Sequence, residues 1–489
     1  MKVRTSVFFI SITIALIPFS NLAQNDFNTW KMQQLNEFSN YKTKQDKEFA
    51  GFLKATWIEL DTLKGKPLLE KRKIITPPKA PKTEPNKPSA KKQVLIKLPP
   101  QKPIPKPSPQ PQQIINQPVK SHIIEVNNFG IPLIFPYDKK IRQPLRGRIN
   151  KDTISQQWSL LAKSEYEPLL KQLQSSKQQL KLNDWAYAVL INKVAEKLYP
   201  ERKNEQALFS WFVLIKSGYK ARIAFKNRRI YLLLASQQKI YSTTYLTYDK
   251  TKYYALDFDG GKQLRLHKVF TYDANYKGSD QALDMQLPQL MATGLSEQKR
   301  DLEFKYANKQ YTINSNTNKY LIDFMSTYPQ VHWGIFFNSQ LNNSTRQQII
   351  EQFRPLVKGL TEQEALNLLL RFVQTSLTYA TDDKQFGYEN PLFAEETLFY
   401  PASDCEDRAI LFAWLVQELL ALDVVGLHYP GHIATAVKLN MPIDGDSITY
   451  QGNKYLIADP TYINANIGTT MPQHKNSKVE FVEIARRNL

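Results

Sequence analysis

The sequence predicts an α+β protein in which a buried central helix packs on an antiparallel sheet, and three observations favour this fold class. Residues 409–420 are apolar on nearly every side of a helix, which is typical of a central element. Two strand-like segments, 432–439 and 455–459, follow that helix. A similar helix and hairpin pattern occurs about 203 residues earlier, and a long helical pattern in residues 25–63 precedes both.

Residues 1–23 predict a secretory signal peptide. Lys2 and Arg4 precede an apolar run at 7–19, and Ala23 supplies the small residue of a cleavage site. The apolar run is short for a membrane span, and an uncleaved anchor is the alternative. We therefore expect an exported protein that is periplasmic, associated with the cell envelope or secreted.

Residues 25–63 carry an amphipathic pattern that repeats every 11 residues. Its apolar positions are Phe27, Phe38, Phe49 and Leu60, with Trp30, Tyr41 and Phe52 three residues after the first three of these. Eleven residues are close to three helical turns, so the pattern predicts one aromatic stripe along a long helix. Such a stripe needs a partner, which could be self-association in a coiled coil, a cell-envelope protein, the protein's own body or a membrane surface. Packing with protein is favoured because the polar face carries both signs of charge.

Residues 64–120 predict a basic, proline-rich linker. They hold 14 of the 29 prolines, and their 14 Lys and Arg against two Glu supply most of the net charge of +20. This composition is typical of an extended, solvated spacer between an anchoring module and a folded body. Because the charge lies in a spacer without aromatic residues, and not on a folded face, the sequence argues against nucleic-acid binding.

Residues 121–275 repeat the C-terminal pattern without its reactive side chains. The segment 209–213, Phe-Ser-Trp-Phe-Val, matches Phe-Ala-Trp-Leu-Val at 412–416 with an offset of 203. At this offset or one less, the equivalent positions are Arg202 and Cys405, Arg229 and His432, and Asp257 and Asp459. We interpret residues 121–275 as a degenerate second copy with a structural or substrate-binding role. The alternative is chance similarity between two helix–hairpin units.

Residues 276–355 are predicted to bridge the two halves. The segments 310–313 and 331–337 have the composition of strands, and a helix is expected near residues 320–328. None of these segments carries a cluster of reactive side chains, so we expect a structural role for the bridge.

The only cysteine of the chain, Cys405, lies 27 residues before His432, which lies 27 residues before Asp459. A single cysteine in an exported chain cannot form an intramolecular disulfide, so its thiol needs another use. Ser403 and Glu406 fit the S-x-x-E capping box, which predicts that Cys405 lies in the first turn of the central helix. Free N–H groups and the helix dipole stabilise a thiolate there, while the acidic neighbours oppose it.

His432 and Asp459 are predicted to lie directly opposite each other in an antiparallel hairpin whose turn falls at 444–446. Cβ atoms of cross-strand neighbours are about 4.5–5.5 Å apart, so the carboxylate can orient the imidazole. The imidazole can then deprotonate Cys405, which makes a nucleophilic triad.

An acyl-transfer site also needs donors for the developing oxyanion. The backbone N–H of Cys405 is the first candidate, and the side chains of Tyr400 and Gln385 are candidates for the second. The six histidines are scattered and no H-E-x-x-H pattern occurs, so we expect no metal site and no other cofactor.

Four short motifs in the predicted catalytic domain, residues 356–489, carry a resemblance to a known family that covers about residues 356–470. They are Glu396-Thr397-Leu398, Asp404-Cys405-Glu406-Asp407-Arg408-Ala409, Gly431-His432-Ile433-Ala434 and Ala458-Asp459-Pro460-Thr461. This arrangement resembles the transglutaminase-like superfamily of papain-type folds. The resemblance implies a catalytic domain whose Cys–His–Asp triad falls on Cys405, His432 and Asp459. The most common family motif has glycine where Ser403 stands, and serine can cap a helix equally well.

The resemblance implies acyl chemistry on amides but does not fix the substrate. We expect an exported cysteine-dependent hydrolase or transferase that acts on protein or peptide amides. Hydrolysis by a peptidase or amidase is favoured over crosslinking because no feature marks a site for an amine acceptor. One alternative is a catalytically silent envelope scaffold or binding protein that uses residues 25–63 and the linker. Another is a cell-wall amidase guided by the basic linker.

Overall fold

The computed structural model describes residues 20–69, 76–81, 95–96, 98–99, 122–256, 258, 267–441 and 443–487. Most of the predicted signal peptide, residues 1–19, therefore lies outside the described residues. The described chain is an α+β protein with mainly antiparallel sheets, which confirms the predicted fold class at this level. Within these ranges no helix combines the length and apolar character needed to cross a bilayer.

The N-terminal half contains a long first helix, a set of shorter helices and a seven-stranded sheet. In chain order its elements are α1 (Ser20–Ala55), β1 (Trp57–Asp61), β2 (Leu63–Lys64), β3 (His122–Asn128), β4 (Ile131–Tyr137), a 3₁₀ helix (Lys139–Arg142), α2 (Lys151–Ala162), α3 (Glu167–Gln179), α4 (Asp184–Leu198), α5 (Lys203–Lys216), β5 (Ala221–Lys226), β6 (Arg229–Ala235), β7 (Thr244–Tyr248), β8 (Thr251–Ala255) and β9 (Lys268–Tyr272).

The bridge and the C-terminal half contain a long hairpin, further helices and a five-stranded sheet. Their elements are β10 (Glu297–Tyr306), β11 (Lys309–Asn318), α6 (Lys319–Met325), α7 (Trp333–Phe337), α8 (Asn343–Val357), α9 (Glu362–Ser376), β12 (Thr378–Tyr379), α10 (Asp382–Gln385), α11 (Ala394–Phe399), β13 (Ala402–Ser403), α12 (Cys405–Leu420), β14 (Asp423–Tyr429), β15 (His432–Lys438), β16 (Ser447–Tyr450), β17 (Asn453–Ala458), a 3₁₀ helix (Pro472–His474) and β18 (Glu480–Val482).

The first helix is shorter at its C-terminal end than the 11-residue pattern predicts. The expectation of a helix through residue 63 is wrong, because α1 ends at Ala55 and Leu60 lies on β1, opposite Val269 of β9. Strand pairing at this sheet edge outweighs the helical pattern, as tertiary contacts commonly do for short segments rich in aromatic and β-branched residues. The two strands β1 and β2 thereby join the N-terminal sheet at its two edges.

The aromatic stripe packs on the protein's own body at its C-terminal end. Phe49 is buried, and its ring lies 4.6 Å from that of Trp158. Phe52 and Trp30 are more than half exposed, at 55% and 57%. The side chains of Phe27, Phe38 and Tyr41 lie outside the described residues. Of the four partners considered for the stripe, the protein's own body therefore accounts for Phe49.

The described pieces of the proline-rich linker contact the folded body, so the expectation of a solvated spacer is wrong for them. Leu68 and Leu69 are buried. Further along, the N–H of Ala80 donates to the carbonyl of Ile463 at 2.7 Å, and the N–H of Ile96 donates to a carbonyl at the start of α9, that of Leu360, at 3.1 Å. These backbone hydrogen bonds hold the described pieces of the linker on the folded body, although their polar composition favours contact with water.

The bridge differs from its prediction at one element. Residues 331–337 read as a strand, but Trp333–Phe337 forms the short helix α7, capped by His332, whose Nδ1 accepts from the N–H of Gly334 at 3.1 Å. Short apolar runs fit a strand and a buried helix equally well, which explains the error. The predicted helix near residue 320 is confirmed as α6, and residues 310–313 lie on β11 as expected.

The two halves share one sheet topology. Five neighbouring strands run β9-β5-β6-β8-β7 in the first half and β18-β14-β15-β17-β16 in the second. In each half a helix packs on the two strands that follow it in the chain. These are β5 and β6 for α5, and β14 and β15 for α12. The registers agree as well: Leu233 pairs with Ala255, and Ala436 and Ile457, their equivalents at offsets of 203 and 202, pair with each other.

The central helix α12 is the core of the C-terminal half. Every one of its residues is buried, as the apolar pattern predicts. It packs against β14 and β15 on the sheet side and against α7, α8, α9 and α11 on the others. A helix enclosed in this way is held rigidly, and its first residue, Cys405, is held with it.

Candidate active site

Cys405 is the first residue of α12. The cap differs by one residue from the prediction, because Asp404 is the N-cap and the Asp407 carboxylate accepts from the Asp404 N–H at 3.1 Å. Ser403 cannot serve as the cap because it lies on β13, where it pairs with Tyr379. The backbone N–H of Cys405 therefore belongs to the first turn, whose donors have no acceptor within the helix.

His432, the first residue of the central strand β15, and Asp459, which directly follows β17, form a buried pair. Nε2 of His432 lies 2.9 Å from Oδ2 of Asp459, and the two residues are 0% and 3% exposed. This contact brings together two of the three residues that the sequence analysis singled out.

The pairing register behind this contact differs from the predicted one. Ala458 pairs with Thr435, whereas the predicted hairpin paired it with Ile433, and β16 lies in the chain between the two strands. A shift of two residues keeps every side chain on the same face of the sheet. His432 and Asp459 consequently meet along a diagonal, which cross-strand side chains of their length can span.

Three backbone or amide donors hold Asp459 in place. Its Oδ1 accepts from the N–H of Thr461 at 2.9 Å and from that of Tyr462 at 3.3 Å. The Nε2 of Gln374 on α9 donates to its carbonyl at 3.2 Å. With Oδ1 engaged in this way, Oδ2 is left to bind His432. Nothing in the sequence marks Gln374, because it lies 85 residues from Asp459.

The other ring nitrogen of His432 faces no partner. Nδ1 is buried and has no hydrogen-bond partner among the residues that the structure describes. The ring is held by stacking, because His474 lies parallel to it at 5.0 Å between centroids, and Tyr429 lies 4.9 Å from His474. His474 was not predicted for the site, since it follows His432 by 42 residues and lies outside the motifs.

The thiol of Cys405 is buried and donates to Oε2 of Glu406 at 3.0 Å. The helix that it begins packs on β15, the strand that His432 begins. Arg408, one turn into α12, interacts electrostatically with both Cys405 and Asp459. Two of the three predicted triad residues, Cys405 and Asp459, therefore lie near one buried guanidinium, and the thiol is bound to Glu406 in this state.

Arg408 is the buried cation of the site. Burial lowers the pKa of its guanidinium to about 10, while nearby Tyr379, Asp407, Cys405 and Asp459 favour the charged form. Its Nη2 donates to the carbonyl of Leu377 at 2.7 Å, and the guanidinium lies 5.1 Å from the ring centre of Tyr379. Arg408 lies in the same motif as Cys405, so its position in the sequence could have identified it as a residue of the site.

Gln385 and Tyr400, the two candidates for an oxyanion donor, come from two segments that pack together at the ends of α10 and α11. Nε2 of Gln385 is buried and has no hydrogen-bond partner in the described part of the chain. The ring of Tyr400 packs on Phe386 at 5.2 Å, and burial raises the pKa of its hydroxyl well above the ordinary range. The Gln385 amide is thus a donor without an acceptor, which is what an oxyanion site requires.

A group of buried carboxylates adjoins Cys405. Oxygens of Asp382, Glu389 and Glu406 lie within 4.8 Å of one another, and so do those of Asp382, Asp404 and Asp407. Oxygen ligands at this spacing are the type that could hold a hard cation such as Ca²⁺. Neither histidine spacing nor any local motif predicts this group, because residues 382–389 and 404–407 become neighbours only in the fold.

Two glutamates of α11 are protonated more easily than usual, and one of them, Glu396, interacts with Asp407 of this group. Burial raises the pKa of Glu396 to about 8, with the charge of Asp407 adding to the shift and the N–H of Phe393 opposing it. Burial likewise raises the pKa of Glu395 to about 7. Protons therefore relieve part of the charge repulsion around the start of α12.

No protein-family model, no curated protein and no solved structure matches the chain. The resemblance to the transglutaminase-like superfamily thus remains a prediction from the four motifs. The geometry of the site is the remaining guide to function.

We predict that the free energy of unfolding of Glu396→Gln, relative to that of wild type, increases as the pH rises. Between pH 4.5 and about 8 the folded state keeps a proton on Glu396 that the unfolded state releases. The free energy of unfolding therefore falls with rising pH, by up to about 1.4 kcal/mol per pH unit from this group. Glutamine carries no such proton, so the difference in unfolding free energy between variant and wild type should grow across this window.

The measurement is urea denaturation at several pH values. Glu351→Gln, at an exposed position on α8, is the matched control and should show no trend with pH. A difference for Glu396→Gln that stays constant across the window would contradict the prediction.

Proposed function

We propose that the protein is a cysteine-dependent amide hydrolase or acyl transferase whose catalytic residues are Cys405, His432 and Asp459. The observation that carries the proposal is the buried His432–Asp459 pair at 2.9 Å, which leaves Nδ1 of the imidazole without a partner. An imidazole oriented by a carboxylate and open at its other nitrogen is arranged to accept a proton. The helix that packs on its strand begins with the only thiol of the chain.

The proposed reaction begins with a change at Cys405. Rotation about its χ1 angle moves Sγ from Glu406 towards His432, where Nδ1 takes the thiol proton. The thiolate attacks the carbonyl carbon of the amide, and the resulting oxyanion accepts from the backbone N–H of Cys405 and from Nε2 of Gln385. Asp459 stabilises the imidazolium that this step creates.

The second half of the reaction releases the two products. The imidazolium of His432 gives its proton to the leaving nitrogen as the C–N bond breaks, which leaves a thioester on Cys405. Water, deprotonated by His432, then attacks the thioester carbonyl. The C–S bond breaks, the carboxylic acid leaves, and His432 returns the proton to the sulfur of Cys405. A primary amine in place of water would give crosslinking. Hydrolysis is favoured because no feature of the described residues marks a site for an amine.

The fold supports the family part of the proposal. A buried helix that carries the nucleophile, followed by strands that carry histidine and aspartate, is the arrangement that the motifs of the transglutaminase-like superfamily imply. The shared topology of the two halves supports an internal duplication. Arg229, the equivalent of His432, is exposed at the start of β6, and Arg202 caps α5 where Cys405 begins α12. We therefore assign the N-terminal half a structural or substrate-binding role, with Asp257 lying outside the described residues.

The location and the substrate class complete the proposal. We propose an exported enzyme of the periplasm, cell envelope or extracellular space, on the strength of the signal sequence at 1–23. Protein or peptide amides are the substrates that the site chemistry fits. Residues 28–34 on the N-terminal part of α1 are exposed and are available to an envelope partner or a second copy.

One observation favours a second candidate, a catalytically silent envelope scaffold. Cys405 is only 1% exposed, and its thiol is bound to Glu406 and not to His432. A scaffold has no need of an open site, whereas an enzyme must open it. Trapping of a covalent intermediate separates the two candidates.

We predict that Cys405 forms a thioester when the protein is mixed with a diverse pool of peptide amides. Acid quenching followed by intact-mass and peptide-mapping mass spectrometry should find an acyl group on Cys405. Removing either partner of the triad should lower its formation by about 10³-fold or more, because the thiol then lacks its base. Cys405→Ala should abolish the adduct, and His432→Ala should reduce it.

The control for this experiment is His428→Ala. His428 lies on the neighbouring strand β14, and its ring lies 6.0 Å from that of Trp333. The variant should acylate at the wild-type rate. Equal acylation rates in wild type and His432→Ala would contradict the proposed triad.

We also predict that Gln385→Leu lowers kcat, whereas Tyr400→Phe leaves it near the wild-type value. Loss of an oxyanion donor costs about 10²–10³ in kcat, and the buried Gln385 amide has no other acceptor in the described structure. The measurement is the single-turnover rate on the best peptide from the pool. The reverse order of effects would identify Tyr400 as the donor and reject Gln385.

A further inference from the structure

Part of the proline-rich linker lies as an extended strand beside the proposed active site. The carbonyl of Pro78 accepts from the N–H of Ile463 at 3.0 Å, and the N–H of Ala80 donates to the carbonyl of Ile463 at 2.7 Å. These two bonds make a parallel pairing between Lys79 and Ile463. Backbone pairing with one extended segment is how many proteins bind peptides.

The groove that receives this segment has one small pocket. Ala80 is 7% exposed and belongs to a separate apolar cluster with Tyr462, Ala465 and Met471, against which Tyr379 packs. Lys79, next to it, is exposed. The groove therefore selects a small side chain at one position and leaves its neighbour free.

The walls of this groove are also walls of the proposed active site. Tyr462 donates its N–H to the Asp459 carboxylate at 3.3 Å, and Tyr379 lies under the Arg408 guanidinium at 5.1 Å. Met471 precedes the 3₁₀ helix whose last residue, His474, stacks on His432. A segment docked here therefore contacts the loop that follows Asp459 and, through Met471, the turn that leads to His474.

We propose that the groove formed by Tyr379, Tyr462, Ala465 and Met471 is the peptide-binding groove of the enzyme, and that residues 76–81 occupy it in cis and keep Cys405 inaccessible. This inference rests on the proposed function. Its ligand class is an extended peptide with a small residue at the buried position, and the linker is an intramolecular competitor of that peptide.

The composition of residues 76–81 suits this role. Three of the six residues are prolines, at 77, 78 and 81, which pre-order the extended conformation and lower the entropy lost on docking. Attachment to the same chain gives the segment a high effective concentration at the groove. A substrate must therefore displace it, which links opening of the site to binding of a matching peptide.

The test is the rate at which iodoacetamide alkylates Cys405 at a fixed pH. Ala80→Arg places a long charged side chain in the small pocket and should release the segment. Alkylation should then rise by about tenfold or more, because reactivity follows the population of the open state. Lys79→Ala, at the exposed neighbouring position, is the matched control and should alkylate at the wild-type rate. Hydrogen exchange across residues 76–81 reports release independently.

A second variant keeps the test decisive if Ala80→Arg does not fold. Pro77→Gly/Pro78→Gly leaves the pocket unchanged and weakens docking through the greater freedom of the undocked segment. It should raise alkylation in the same direction. A synthetic peptide spanning residues 74–83 should slow the alkylation of either variant when added in trans, and the same peptide carrying Ala80→Arg should not.

Two results would overturn the inference. One is unchanged alkylation although hydrogen exchange shows that residues 76–81 are released. The other is faster alkylation that the wild-type peptide does not slow. Adding His432→Ala to the released variant distinguishes this inference from the proposed function. If release accelerates alkylation but His432→Ala has no effect, the groove assignment holds and the triad fails.

Discussion

The hydrogen bond between His432 and Asp459 is the contact on which the proposed active site depends. Burying a histidine and a carboxylate is costly, and pairs of this kind commonly contribute little net stability. The protein meets the cost with donors from several elements: the N–H groups of Thr461 and Tyr462 and the amide of Gln374. A contact supported so heavily, with one imidazole nitrogen left open, is the observation on which the proposed catalytic role rests.

Cys405 and the groups around it form a closed, buried site that contains the residues of the proposed triad. The thiol is held by Glu406, the carboxylates of Asp407 and Asp459 favour the charged form of the buried Arg408, and burial raises the pKa of Glu396. Residues 76–81 of the linker contact the loop that begins at Asp459. The same loop continues to His474, which stacks on His432. These features connect a proline-rich segment, which reads as a spacer, to the chemistry of the site.

Sequence patterns predicted the parts of this fold that depend on local chemistry. The helix after Cys405 is buried on every side because its residues are apolar on every side, and His432 and Asp459 fall on one face because strand periodicity is two. The predictions that are wrong concern features set by contacts between segments that are far apart in the sequence. The first helix ends before residue 63 because β1 pairs with β9, and the cap moves to Asp404 because Ser403 pairs with Tyr379. Gln374, His474 and the acidic group beside Cys405 come from segments that meet only in the folded chain.

The most direct test of the central claim, that the His432–Asp459 pair activates Cys405, is the pH dependence of alkylation at this residue. The rate should be compared among wild type, His432→Ala and Asp459→Asn. An imidazole-paired thiolate should react fast well below pH ~8.5, the range of an ordinary thiol. Both variants should lose this low-pH reactivity. Profiles that coincide in all three proteins, with the rise of an ordinary thiol, would contradict the claim and favour the scaffold.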